Sequence, residues 1–244
     1  MSLVIYLVRH GEVEHHRTDV SLTPRGRAQA EAAGALLAAH VAAGDSVAIR
    51  YSPVTRVKET AEFLRAGLSS ALMAAGSAER VALSPPQPDE ALCNVRFTLN
   101  PREQPEEPSL LHAQTNRPAY LQSAPPARAD FYRGFWASRD PMGYWLTRDS
   151  AGAAETPEIV WARVCERVRS LLAEHAKSAE RRTHWIGVTH SGALRVVLRH
   201  AFGADPGEPD FCSVVVIDPD GAAPDNRLTL SYQGRKAPLE IANY

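Results

Sequence analysis

"VIYLVRHGEVEHH", residues 4–16, begins as a buried strand and runs straight into an arginine, a histidine and a glycine. Val4, Ile5, Leu7 and Val8 make an apolar run that is continuous rather than alternating. That is the pattern of a strand covered on both faces, and it predicts a strand at residues 3–9. Arg9 and His10 are costly to hold beside a core, so their delivery at the end of such a strand calls for a reason. Near the other end of the chain "HWIGVTHSGALRVV" repeats the arrangement, with Ile186 and Val188 leading into His190, Ser191 and Gly192.

Working outward, Thr23 and Pro24 read as an N-cap and first-turn proline for a helix that stops near Gly44. "SVAIRYS" is a second strand, and Ser52-Pro53 hands over to a helix through "TRVKETAEFLRAGLSSALMAAG". "ERVALSPPQPDEAL" holds a third short strand that enters a proline-broken loop. Pro157 starts a further helix, His190 ends a strand, and a helix follows from about Gly192 to His200. "CSVVVIDPDG" and "NRLTLSYQG" form a hairpin-like end whose strands pair antiparallel. Strands alternating with helices predict a three-layer α/β/α sandwich with a mostly parallel central sheet.

Residues 94–134 differ in texture. Pro101, Pro105, Pro108, Pro118, Pro125 and Pro126 forbid one long helix there. Phe97, Leu110, Leu111, Tyr120 and Leu121 nevertheless supply anchors for an ordered, substrate-facing insertion rather than a disordered linker. The 244 residues are therefore expected to form a single domain, residues 1–244, with a substrate-specificity insertion at about 94–134.

With 27 basic and 28 acidic residues the formal charge is −1, which gives no pull toward nucleic acid. Cys93, Cys165 and Cys212 lack CxxC or zinc-finger spacing, and an odd number speaks against a disulfide framework. No apolar run reaches the roughly 20 residues a bilayer span needs, and Arg9 and His10 interrupt any signal-peptide core. The expectation is a cytoplasmic protein with no membrane partner; a homodimer is left open.

In an open α/β sheet the ligand crevice lies beyond the carboxyl ends of the strands. The predicted strand exits bring Arg9 and His10, then Ser52, Pro53 and Arg56, then Asp89 and Glu90, and finally His190 toward one place. Two arginines and the NH groups of a helix start can hold the outer oxygens of a phosphoryl group. An unprotonated imidazole can accept phosphorus, and a second imidazole can stabilise the charge that builds on the equatorial oxygens. A carboxylic acid can protonate the departing alkoxide and then, as carboxylate, take a proton from water. A metal hydrolase built on His10, His15, His16, Glu12 and Glu14 is the poorer reading, because no HExxH helix or carboxylate-rich strand end supports it.

"LVRHGE" with "LTPRGRAQA", "YSPVTRVKETAEFL", "DEAL" and "GVTHSGALR" resembles the histidine phosphatase superfamily, which includes phosphoglycerate mutases and the fructose bisphosphatase domain. The resemblance implies the phosphoglycerate mutase-like fold and a phosphohistidine on His10, with Arg9, Arg56 and His190 around the phosphoryl group. It implies Glu90 as proton donor, substrate contacts from His16, Thr23 and Ser191, and no metal or other cofactor. Glu155, Thr156 and Arg163 match a segment that looks supportive rather than catalytic. Many members carry Asn where this chain has His16. The mutases carry a longer stretch where this chain has only "EVEHHRTDVS", which turns the reading away from a mutase.

The expected activity is thus a histidine acid phosphatase-type phosphomonoesterase, metal-independent and acting on a small phosphorylated metabolite. The rivals are a phosphomutase and a non-catalytic phosphate-binding protein of the same fold. Arg96, Arg102, Arg117, Arg128 and Arg133 either bind a second anionic group of the substrate or solvate a loop. Trp136, Tyr144 and Trp145 either wall the pocket or pack in the core, with core packing favoured for each taken singly.

Overall fold

The protein is described by a computed structural model, which covers residues 2–100, 102–177, 181–219 and 227–241. The opening strand is β1, Leu3–Arg9, and all seven of its residues are buried. Its alternate side chains feed two separate cores: Leu3, Ile5 and Leu7 on one face, Val4, Tyr6 and Val8 on the other. This is why the run is apolar without alternation.

β1 lies parallel to β5, Thr183–Thr189, in a register that sets Leu3 against Thr183 and Arg9 against Thr189. His10 and His190 are each the next residue along, so the pairing itself sets the two histidines side by side. The His10 N–H donates to the Thr189 carbonyl at 2.9 Å and fastens the two exits together. β2, Ser46–Tyr51, runs parallel on the far side of β5 and is followed directly by Ser52. Two short strands, β3 (Ala82–Leu83) and β4 (Gln87–Pro88), pair with β2 in the same direction.

The other half of the sheet departs from expectation. β6, Val214–Asp218, runs antiparallel to β1 and is followed by β7, Arg227–Tyr232, and β8, Arg235–Glu240, also antiparallel. The order is β3-β2-β5-β1-β6-β7-β8, so the sheet is mixed rather than mostly parallel. The antiparallel pairing extends past the anticipated hairpin because Gln233 and Gly234, both at positive φ (47° and 76°), turn the chain tightly enough for β8 to pair back.

One face of the sheet is covered by α1 (Pro24–Ala38) and α2 (Thr55–Ala74). The opposite face is covered by α5 (Pro126–Ala137), α6 (Pro141–Thr147), α7 (Pro157–Lys177) and α8 (Ser191–Phe202). α1 stops earlier than its alanine-rich sequence suggests: the Asp45 carboxylate accepts the Ala42 N–H, and Gly44 turns away at φ 97°. The proline-rich insertion is ordered as α3 (Pro108–Thr115), α4 (Pro118–Ser123) and the start of α5. Each of these helices begins on one of the prolines that forbid a long helix, since a first-turn proline gives up no intrahelical bond. The three cysteines are buried and form no disulfide. Among the described residues no helix is long and apolar enough to cross a membrane.

Candidate active site

A cavity of about 280 Å³ opens beyond the carboxyl ends of β1, β5 and β2, and His10, Arg56 and His190 form its floor. His10 is 2 % exposed. Its Nδ1 lies 2.8 Å from the Gly11 carbonyl oxygen, which can only accept, so the proton sits on Nδ1 and Nε2 keeps its lone pair. Burial holds its pKa well below the usual 6.5, and the charges of Arg56 and Arg9 add to the effect. The ring is therefore a neutral imidazole with a free nitrogen.

The loop that carries His10 is held from two sides. The Gly11 N–H donates to Thr60 Oγ1 on α2 at 2.9 Å, and the Glu12 N–H donates to Gln29 Oε1 on α1 at 3.0 Å. A Cβ on Gly26 would come within 2.2 Å of the Glu12 carbonyl oxygen, and one on Gly11 within 2.5 Å of the Gly26 carbonyl oxygen. The glycine and glutamine of the "LTPRGRAQA" run thus serve the loop of "LVRHGE".

His190 is 1 % exposed, and its ring meets that of His10 edge-on with centroids 5.5 Å apart. Arg56 Nη2 lies 3.3 Å from its Nδ1 and can only donate, so the proton of His190 is on Nε2. That proton faces Ser52 Oγ at 2.9 Å and Glu107 Oε1 at 3.2 Å. Burial first, then Arg56 and His10, keep His190 neutral as well. Arg56 also donates to Ser109 Oγ at 3.2 Å and has Glu107 Oε2 within 3.6 Å and Asp19 Oδ1 within 3.7 Å.

Arg9 lies over the Phe211 ring at 4.1 Å, donates to the Pro209 carbonyl and pairs with Glu208 at 2.6 Å. Glu208 in turn meets Arg195, a fully buried guanidinium that also binds Asp140 and Asp205. Burial lowers the pKa of Arg9, and Glu208 opposes that shift. His16 and Ser191 line the cavity too. The His16 ring, on an exposed residue, lies 5.4 Å from that of His10, and partial loss of water around it followed by the charge of Arg56 pulls its pKa to about 4.

Three of the residues expected here do not line the cavity, and the first is Arg9, whose guanidinium is held by Glu208 and the Pro209 carbonyl. Thr23 caps α1, accepting the Gly26 N–H at 2.9 Å and donating to Glu12 Oε1 at 3.0 Å, and does not line the cavity. Glu90 falls outside the cavity as well, because residues 90–92 coil into a short 3-10 turn that directs its carboxylate outward. That side chain is 71 % exposed, with Arg96 at 3.8 Å and the Cys93 thiol at 3.4 Å. Its neighbour Asp89 caps the turn through the Ala91 N–H and pairs with Arg167 at 2.8 Å.

The carboxyl group that does reach the site is Glu107, which sequence reasoning missed. It sits one residue before the first-turn proline of α3, is 5 % exposed, and accepts the Asn94 N–H at 2.9 Å through Oε1. Burial raises its pKa above the ordinary carboxylate range even though Arg56 pulls it down. Glu107 Oε2, Asn94 Oδ1 and Arg56 Nε are buried without a hydrogen-bond partner. These three atoms are available to a bound group.

Of the insertion's arginines, none lines the cavity. Arg128 donates to the Leu99 and Gly152 carbonyls, Arg133 pairs with Asp130, and Arg96 meets Glu155. Trp136 is in the cavity wall, while Trp145 is buried with its indole N–H on the Glu155 carbonyl. Glu155 also binds Arg163, whose second Nη donates to the Cys93 and Asn94 carbonyls at 2.9 and 2.8 Å. Among the described residues no group of three or more His, Cys, Asp or Glu side chains is placed to hold a metal ion.

A neutral imidazole with its lone pair free, beside the Arg56 guanidinium at the end of an α/β sheet, fits a phosphoryl-transfer class of site. The family model described as histidine phosphatase superfamily (branch 1) matches residues 5–75 and 136–229, and the chain belongs to that family. The family comprises phosphatases and mutases that act on phosphorylated metabolites through a histidine. Solved structures agree on the fold. YhfR of Bacillus stearothermophilus is 24 % identical with a TM-score of 0.57, covering 95 % of this chain and 96 % of its own. A mycobacterial glucosyl-3-phosphoglycerate phosphatase is 19 % identical at 0.56 (96 % and 99 %). The phosphoglycerate mutase of Bacillus anthracis is 14 % identical at 0.54 (99 % and 92 %). A search of curated proteins finds no match.

Proposed function

We propose that this protein is a phosphomonoester hydrolase that works through a phosphohistidine on His10, without a metal ion, on a small phosphorylated metabolite. The observation that carries the reading is the pairing of a neutral, lone-pair-bearing His10 with a buried carboxyl of raised pKa, Glu107, in one cavity. His10 Nε2 attacks phosphorus and the bond to the ester oxygen breaks. Glu107 gives its proton to the leaving alkoxide. The resulting carboxylate then takes a proton from water, whose oxygen attacks phosphorus and releases His10 and inorganic phosphate.

The positive potential comes from Arg56 and Arg9, and binding of a phosphoryl group would engage the unpartnered Arg56 Nε. Neutral His16 can present an N–H to the equatorial oxygens, while neutral His190, with its Nε2 proton on Ser52 and Glu107 and its Nδ1 facing Arg56, holds Arg56 and Glu107 in place. Glu107 replaces Glu90 as the candidate donor because its carboxyl is inside the cavity and Glu90's is in solvent. The cavity, about 280 Å³, falls just under the roughly 300–1,000 Å³ of sites for drug-sized ligands and so favours a small metabolite. The unprotonated His10 in its floor favours hydrolysis of such a molecule over service as a scaffold, which has no use for a free nucleophile.

Incubation with a labelled phosphomonoester, quenched without acid, should leave an alkali-stable and acid-labile phosphate on His10. Release of inorganic phosphate should persist in EDTA. Turnover with no label on His10, or with label on a serine or aspartate, would remove this reading.

A further inference from the structure

The cationic groups of the cavity divide into two kinds. At the floor, Arg56 has Glu107 and Asp19 within ion-pair distance, and Arg9, close enough to act on His10 but outside the lining, is met by Glu208. At the mouth, Arg139 lines the cavity and is exposed, yet no carboxylate among the described residues lies within 4 Å of it. Arg17, next to the cavity-lining His16, is likewise exposed and unpaired. Arg17 stands within electrostatic reach of His112, whose ring packs edge-on to Trp136 at 4.6 Å. The free positive charge of the pocket therefore sits at its entrance, away from the two histidines.

Between floor and mouth the wall is apolar. The end of α5 and the start of α6 contribute Phe135, Trp136, Pro141 and Met142 to the cavity, and α3 contributes Pro108. Trp136 is fixed by its indole N–H on Thr115 Oγ1 at 2.9 Å, and Asp140 locks the start of α6 by accepting the Gly143 N–H while bound to Arg195. The wall is thus preformed; the carboxylates of Asp140 and Glu208 also line the cavity but are bound to Arg195, which leaves Arg139 as the lining cation with no carboxylate partner among the described residues.

We propose that the leaving group has an apolar body that lies on the Phe135, Trp136 and Met142 wall and an anionic group at its far end that Arg139 receives. The substrate class is then a phosphomonoester of a hydrophobic hydroxy acid, the carboxylate being a planar anion that a guanidinium holds in a bidentate contact. This rests on the phosphatase reading above and adds to it the identity of the leaving group. An apolar body gains from leaving water, and a carboxylate at the rim gains without the cost of full burial.

Phenyl phosphate and 4-carboxyphenyl phosphate differ only in the group in question. The wild-type enzyme should turn over the carboxylated ester with a kcat/KM roughly tenfold or more above phenyl phosphate, the scale of one charge-assisted contact, through KM rather than kcat. Arg139→Met should bring that ratio to about one. Calorimetry with methylphosphonate, phenylphosphonate and 4-carboxyphenylphosphonate reads the same subsite without turnover. There the affinities should rise in that order, and the last step should vanish in Arg139→Met. A ratio near one in the wild type by both methods, or a ratio that Arg139→Met leaves intact, would overturn the proposal and leave Arg139 a solvated surface residue. Release of no phosphate from either ester, with the affinity order preserved, would overturn the phosphatase reading and keep the subsite.

Discussion

The carboxyl of Glu107 lies 3.2 Å from Nε2 of His190, and both side chains are closed off from solvent. Glu107 belongs to the inserted segment, so that segment brings a titratable group to the histidines as well as forming part of the wall. If Glu107 is the proton donor, its loss must hurt in proportion to how badly the leaving oxygen needs a proton. Glu107→Gln is expected to slow phosphorylation of His10 by an alkyl phosphate by roughly 10² to 10⁴, and by p-nitrophenyl phosphate far less. Glu90→Gln should leave both within a few-fold of wild type. Pre-steady-state measurement of the two half-reactions decides it, and a leaving-group-dependent defect in Glu90→Gln alone would return the role to that residue.

The pH dependence follows from the same two groups. His10 is held well below its ordinary 6.5, so it keeps its lone pair as the solution becomes mildly acidic. Glu107 is raised, so it keeps its proton above the usual carboxylate range and loses it as pH rises. The active form exists between the two, and kcat/KM should have an alkaline limb that falls as Glu107 gives up its proton. In Glu107→Gln the alkaline limb should flatten with an alkyl phosphate. A wild-type profile that climbs steadily to pH 8 would contradict the assignment.

Much of this site was legible from strand ends. β1 and β5 were readable from their apolar runs, and their in-register pairing turns Arg9-His10 and Thr189-His190 into neighbours. Arg56 followed from a proline-marked helix start after β2. Glu107 was not readable, because its place depends on α3 folding back over strand exits more than a dozen residues earlier in the chain, and local spacing carries no trace of that. Glu90 misled for the opposite reason. It follows a strand closely, but the 3-10 turn at residues 90–92 cancels the alternation that an extended chain would give it. β8 escaped notice because its "RKAPLE" is polar at an edge, where pairing to one neighbour suffices.

The interlock of Gly11 and Gly26 predicts an effect at a distance from the cavity. Gly26→Ala places a methyl group 2.2 Å from the Glu12 carbonyl oxygen if nothing moves, and the atom in the way is backbone. The loop must shift, and His10 shifts with it because its Nδ1 proton is bonded to the Gly11 carbonyl. A displacement on the order of 1 Å at a nucleophile costs about 10² in rate. Gly26→Ala should therefore lower kcat by about that factor and stability by about 1–3 kcal/mol. Loss of stability with kcat unchanged would mean that the loop absorbs the shift before it reaches His10.

The buried histidines also set how stability responds to acid. His10, His190 and His184 all have pKa values lowered by burial, His184 despite its bond to Asp45 at 3.0 Å. In the unfolded chain each returns to about 6.5, so below that pH the unfolded state takes up protons that the folded state refuses. Stability should be level above about pH 7 and fall as pH drops below 6.5, by up to about 1.4 kcal/mol per pH unit for each group until its folded pKa is reached. Glu107 acts in the opposite direction, since its raised pKa makes the folded state the better proton binder at pH values above its ordinary carboxylate range. It therefore offsets about one of the three histidines in the window where its own proton is still held. Denaturant unfolding at pH 7.5, 6.5 and 5.5 should show the decline. His184 lies beside Tyr6 at the end of the sheet remote from the cavity, so His184→Asn removes one of the three groups without touching the site. That variant, less stable at pH 7.5, should lose stability toward acid less steeply by about one proton. A stability that holds or rises between pH 6.5 and 5.5 in the wild type would mean that these imidazoles take up protons inside the fold, and His10 would then enter the acid range as a cation with no lone pair to offer phosphorus.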